Sequence, residues 1–391
     1  RYEGNYFLPL YRVFYLQLLY LKERFRMKFQ LSQEGLKDVL TKLGKVLTAK
    51  SSIPILAGVL VEAKTDCLLF TGSDGSESII HRIPVGDGTA LVEAEGRSVF
   101  SKDCIEIAKK LKGMVAFEVT GATVKVSQDK TKLDFGVLDA ADYPSVANTP
   151  TSKPIIFSGE DFSNMVSNTY FAASKSEIRP ILMGIHMSFS SEGNVFVATD
   201  SHRLGKVTFG KSEQELKITV PAKTLESTLK FFDLEKEVFV FPSETQIAFA
   251  NGNTILYSRL LEGNYPDTGR LIPKESKFNL VVSRKELLDA LELFKDLSKN
   301  SVVKMKVDNL FVELKAFEGT TSGIREIAFE SYDGEEGFTI SFSAKFVADA
   351  LKPLECTSVR IGLEGPMKPF TIHPITEEAT ELQLILPVRD K

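Results

Sequence analysis

The sequence predicts an α+β protein made of three tandem copies of one module, each with two helices packed on antiparallel sheets. Three observations carry this. Two kinds of helix alternate along the chain, and each occurs three times. The markers of each kind recur at nearly one interval, the signature of tandem repetition. Between the helices lie short alternating apolar runs, and strands broken by single helices imply antiparallel sheets with helices on one face.

The first kind of helix is predicted over 32–47, 159–173 and 283–298. In the first copy Ser32 can cap and Leu36, Val39, Leu40, Leu43 and Leu47 fall at helical spacing. In the second the cap is placed at Glu160, followed by Phe162, Met165, Val166 and Tyr170. In the third Ser283 and Glu286 make a capping box before Leu287, Leu288, Leu291 and Leu297. These caps are 128 and 123 positions apart. The second kind is predicted over 101–111, 224–232 and 346–354, with Lys102, Lys223 and Lys345 spaced by 121 and 122. Strand-like runs include 59–63, 67–70, 115–119, 124–126, 238–241, 247–249, 302–307 and 310–314, separated by turns such as Asp74-Gly75 and Asn251-Gly252. Tyr143-Pro144 and Tyr265-Pro266 mark recurring junctions, so the domains are expected at 27–150, 151–275 and 276–391. Residues 1–26 stand apart as an extension upstream of Met27, or alternatively an amphipathic arm. Its apolar run is interrupted by Pro9, Arg12 and Gln17, too short and polar to cross a bilayer.

Three isolated cysteines make neither a CxxC pair nor a disulfide framework, which favours a reducing, cytoplasmic setting. The four histidines show no metal-ligand spacing, and no phosphate-loop, dinucleotide or nucleophile-elbow motif occurs. Net charge is −4, yet the six helical segments together sum to +5. Either lysines simply solvate helix faces, or the helices line one basic surface that attracts a phosphate backbone without reading bases. Near the chain's centre a strand-like run ends in Ala198-Thr199-Asp200-Ser201-His202-Arg203-Leu204, a polar corner between two strands. Asp200, Ser201 and His202 have the residue types of a hydrolytic triad, but neighbours in an extended chain point apart, so a triad is disfavoured.

That heptad, with Met27-Lys28-Phe29, Ile53-Pro54-Ile55-Leu56, Tyr265-Pro266-Asp267, Leu271-Ile272-Pro273 and Leu386-Pro387-Val388-Arg389, resembles the bacterial DNA polymerase III beta subunit, the sliding-clamp family, over 27–391. The resemblance implies three tandem DNA-clamp domains forming half of a closed ring, and a head-to-tail homodimer around double-stranded DNA. It implies a processivity factor with no catalysis, cofactor or membrane role. Its implied partners are the DNA polymerase III alpha-type subunit, the clamp loader and repair polymerases. They would dock by short peptides in a pocket of Thr199, Ser201, His202, Arg203, Leu204, Pro266, Arg270, Leu271, Leu384, Leu386, Pro387, Val388 and Arg389. DNA contacts carry over to Lys50, Lys175, Ser176 and Arg179. The dimer contact would set Leu133 and Phe135 against Asp296 and Leu297. The family often has Gly at Ser201, Met at Leu386 and Val388, Arg at Lys50 and, in some relatives, an apolar residue at Asp296. An accessory, repair-specialised clamp-like scaffold with weak or absent DNA encirclement is the alternative. Removal of 384–391 is expected to abolish peptide binding and spare folding.

Overall fold

The computed structural model describes residues 26–47, 53–146, 150, 153–297, 301–318, 321–377 and 380–389. The readings of residues 1–25 and of Lys50 lie outside them. All six expected helices form: α1 (Gln33–Leu43), α2 (Lys102–Ala108), α3 (Gly159–Ser167), α4 (Ala222–Thr228), α5 (Arg284–Phe294) and α6 (Ala344–Leu351).

The caps explain where the helices start. Ser32 Oγ accepts from Gly35 N, Ser101 Oγ from Cys104 N, and Ser283 Oγ from Glu286 N. The second copy corrects the expectation: its cap is Ser158, whose Oγ accepts from Asp161 N, while Glu160 sits inside the first turn. There the Glu160 carboxylate still opposes the helix dipole. With Ser158 in place the caps fall at 32, 158 and 283, intervals of 126 and 125, so the repeat is more regular than expected. The helices stop earlier than predicted. α4 ends at Thr228, and Phe231 and Phe232 leave it to pack edge-to-face at 5.1 Å.

Contacts divide the chain into two compact units, Arg1–Ile156 with Phe231–Arg259, and Phe157–Lys230 with Leu260–Lys391. In unit one a 13-stranded sheet contains, side by side, Thr254–Arg259, Glu77–Pro84, Cys67–Ser73, Gly58–Lys64, Gly96–Ser101 and Thr131–Leu138. The sheet thus passes from one repeat to the next where 254–258 pairs antiparallel with 77–81. Phe29, Phe100 and Phe117 stack at 4.8 to 6.3 Å between centroids, a core that shields each ring from water.

Unit two holds a nine-stranded and a four-stranded sheet. In the larger, Arg203–Phe209 pairs antiparallel with Glu381–Ile385, the same type of junction one repeat later. The smaller ends in Thr321–Ile327, which pairs only with Val312–Glu318. Leu310, expected in a strand, is 82% exposed in the preceding turn. Among the open sheet edges of the described residues are 321–327 in unit two, and 131–136 in unit one, where Thr131–Leu138 meets Gly96–Ser101 only through Val137 and Leu138.

Candidate functional site

The polar corner predicted at 200–202 joins Asn194–Thr199 to Arg203–Phe209. Side chains hold its shape. Asp200 Oδ1 accepts from His202 N and Arg203 N at 2.9 and 3.0 Å. Thr199 Oγ1 accepts from Ser201 N at 3.1 Å and donates to the Arg203 carbonyl at 2.6 Å. Ser201 has φ +76°, a left-handed conformation that suits glycine better than serine.

Arg203, expected among the pocket residues, is buried. It is 6% exposed, its Nε donates to Asp200 Oδ2 at 3.0 Å, and its Nη1 donates to Asp349 Oδ2 on α6 at 2.8 Å. Its guanidinium also lies 4.4 Å from the Phe346 ring centroid and 5.4 Å from that of Phe171. The residue locks the corner to α6. His202 is exposed, stacks loosely on Phe346 at 6.4 Å, and accepts from Leu386 N through its carbonyl at 2.9 Å.

The strand 381–385 brings the C-terminal residues alongside. Arg203 pairs with Ile385 and Leu204 with Leu384. Val388 N donates to the Ser341 carbonyl at 2.7 Å, so the tail beyond the strand is tied down as well. Val197, Leu204 and Leu384 form a buried apolar cluster, with Tyr265, Ile272 and Leu382 packed against it. Leu271 and Leu386 stand 54% and 37% exposed. Pro266, Pro387 and Val388 are half-buried, and Arg389 is exposed. Arg270 is exposed and pairs with Asp267 at 2.9 Å. The arrangement offers apolar surface beside polar backbone, the chemistry of a peptide groove.

Tyr265 carries more than the sequence reading assigned it. Its hydroxyl accepts from Thr199 N at 3.1 Å, and its ring stacks on His186 at 4.7 Å. Burial pushes the Tyr265 phenol up, and burial, then Lys217, pushes His186 down. Asp349, Phe346 and Phe171 were also missed. They lie 146, 143 and 32 positions from Arg203, and helical spacing alone marks them only as packing residues.

Gln383, wholly buried, crosses to α3. Its Nε2 donates to the Asn168 carbonyl and to Asn168 Oδ1, both at 3.3 Å. Asn164 Nδ2 donates to Glu381 Oε1 at 2.6 Å. A Cβ at Gly205, opposite Gln383, would collide with the Asn168 carbonyl.

Lys175, Ser176 and Arg179 are exposed together between two short 3-10 turns at 170–172 and 180–183. Leu133 and Phe135 are half-buried on one face of the open-edged strand 131–138. Leu297 is half-buried and Asp296 exposed just after α5. Among the described residues no group of three His, Cys, Asp or Glu is arranged to hold a metal, and no helix is long and apolar enough to cross a membrane.

The chain matches three family models: DNA polymerase III beta subunit, N-terminal domain over 27–147, central domain over 157–267, and C-terminal domain over 269–389. It is 34% identical to the beta sliding clamp of Bacillus subtilis over 378 residues, 93% of this chain and all of that protein. It is 30% identical to that of Staphylococcus epidermidis, covering 93% and 99%. The crystal structure of the Bacillus subtilis DNA polymerase sliding clamp superposes with TM-score 0.89 at 32% identity, over 94% of this chain and 100% of that one. The beta subunit from Streptococcus pyogenes superposes with TM-score 0.87 at 29% identity, covering 93% and 100%.

Proposed function

From the premise that the chain belongs to the DNA polymerase III beta subunit family, the beta sliding clamps, we propose how its residues perform a processivity clamp's work. Two copies close head to tail into a ring of six clamp domains, divided near 27–150, 151–275 and 276–391. The ring links a polymerase to duplex DNA by enclosure, without catalysis and without reading bases.

The supporting observation is a count of junctions. One repeat's hairpin strand pairs with the next repeat's last strand at 77–81 with 254–258 and again at 203–207 with 381–385. The third hairpin strand, Thr321–Ile327, and the first repeat's last strand, Thr131–Leu138, hold the same places and keep open edges. Pairing between subunits satisfies both and removes the edges that would otherwise recruit other chains. Leu133 and Phe135 then face the segment carrying Asp296 and Leu297.

Lys50, Lys175, Ser176 and Arg179 contact the phosphate backbone, and the groove along Leu204, Leu384 and Leu386 takes a polymerase, clamp-loader or repair-polymerase peptide. His202, Ser201, Pro266, Arg270, Leu271 and the tail Pro387-Val388-Arg389 border it. Arg203 and Thr199 shape it from beneath. The test is sedimentation at low micromolar concentration. A dimer that Phe135→Arg converts to monomer is expected, and a wild-type monomer refutes ring closure and favours the accessory-scaffold alternative.

A further inference from the structure

The groove's corner occurs twice in the chain. In unit one, Asp74-Gly75-Ser76 joins Cys67–Ser73 to Glu77–Pro84. Asp74 Oδ1 accepts from Ser76 N and Glu77 N, both at 2.8 Å, as Asp200 does for His202 and Arg203. Ser73 Oγ accepts from Gly75 N at 3.1 Å and donates to the Glu77 carbonyl at 2.9 Å, reproducing Thr199. Gly75 has φ +93° where Ser201 has +76°. Arg259 N donates to the Ser76 carbonyl at 3.1 Å, as Leu386 N does to His202. Ser73 and Thr199 are 126 positions apart, and Arg259 and Leu386 are 127 apart.

The backbone is copied but the chemistry is not. Where the groove has Leu204, Leu384 and Leu386, this corner has Ser78, Tyr257 and Arg259, with Ser78 paired to Tyr257 as Leu204 is to Leu384. A cavity of about 270 Å³ opens there, lined by those three residues, by the exposed Ser76 and Ser145, and by apolar Leu56 and Val146. Arg259 is exposed and has no ion-pair partner among the described residues. Neither nearby acid lines the cavity: the Asp74 carboxylate is turned to the corner's own amides, and Glu77 lies outside the cavity wall.

We propose that this cavity is a second peptide-binding subsite, selective for a short acidic, polar segment of a protein partner, with Arg259 taking a carboxylate and the exposed Ser76 and Ser145 hydroxyls the flanking backbone. The ligand class rests on the reading of the 204/384/386 groove as a peptide site. The charge selectivity rests on Arg259, the charged residue of the lining. A guanidinium gives a carboxylate a two-pronged donor that a leucine cannot.

The test is methyl NMR on the full-length protein, reading Leu56 and Val146, whose side chains line the cavity. The probe is the blocked pentapeptide Gly-Asp-Ser-Asp-Gly. Saturable shifts at Leu56 and Val146 are expected, at least fivefold weaker with the Asn-for-Asp peptide and with Arg259→Ser. No saturable shift, equal response to both peptides, or indifference to Arg259→Ser overturns the proposal. So does a response confined to the Leu204 and Leu384 methyls. An apolar clamp-binding peptide added to a parallel sample reports on that groove separately, so failure of one reading is distinguished from failure of the other.

Discussion

Replacing Arg203 by alanine tests whether the corner is locked from beneath. The Arg203 side chain is 7% exposed, and its partners Asp200 and Asp349 are 17% and 24% exposed. Breaking a fully buried ion pair costs about 3–5 kcal/mol, because a desolvated charge is left alone. The residual exposure of both carboxylates places this site near 2–3 kcal/mol, and losing the contacts to Phe346 and Phe171 adds about 1. A loss of about 3–4 kcal/mol corresponds to a drop of roughly 6–16 °C for a unit of this size. Scanning calorimetry of the wild type, Arg203→Ala and Arg203→Lys reads it directly. Lysine keeps the charge but not the fork, and about half the loss is expected to return. Groove-peptide affinity measured at 20 °C should fall with Arg203→Ala, because His202 and the Leu386 amide lose their anchor. A transition moved by less than 1 °C refutes the lock.

The same geometry sets other outcomes. Gly205→Ala, which forces a methyl against the Asn168 carbonyl, should destabilise by about 1–3 kcal/mol in urea titration, and Gln383→Leu, which strands buried Asn168 groups, by about as much. Deleting 386–391 should abolish binding of a polymerase-derived peptide in fluorescence anisotropy while the thermal transition survives; retained micromolar binding contradicts the groove. The longer deletion from Leu384 is not expected to spare folding, since Leu384 and Ile385 are 2% and 0% exposed strand residues. His186 and His373 are held below their ordinary value, each chiefly by burial. Folding therefore favours their neutral forms, and that contribution is full above about pH 6.5 and is lost as pH falls through their lowered folded values. Urea midpoints should decline from about pH 6.5 toward 5, less steeply in His186→Gln/His373→Gln. Lys175→Ala with Arg179→Ala should flatten the salt dependence of clamp loading on DNA.

The architecture was legible because it is written in periodicity. Leu36, Val39 and Leu43, and Leu287 and Leu291, fall on buried helix faces, and the repeat interval needs only a count. Ser158 is hard to pick out in sequence because a glycine and two acids after it offer a competing start; the hydroxyl's reach to the Asp161 amide decides it. The neighbourhood of Thr199–Leu204 and Leu384 was marked by motif. The role of Arg203 was not, because the charge on Asp349 meets it only after strand pairing and helix packing have spanned 146 positions. The copied corner at Asp74 was hidden for a different reason. Ser78, Tyr257 and Arg259 share no side-chain type with their counterparts, and the kinship shows in the hydrogen bonds, the positive φ and the strand pairing of the corner.

The border between repeats is not the border along which the molecule coheres. Thr254–Arg259, late in the central repeat, is woven into the same sheet as Glu77–Pro84 of its predecessor, while the earlier part of that repeat packs with the third. A gene fragment cut at 150 or 275 would therefore leave a strand without its neighbour, and single repeats should be poor folders when made alone. Heating should reveal two melting blocks in each chain, with the middle repeat torn between them.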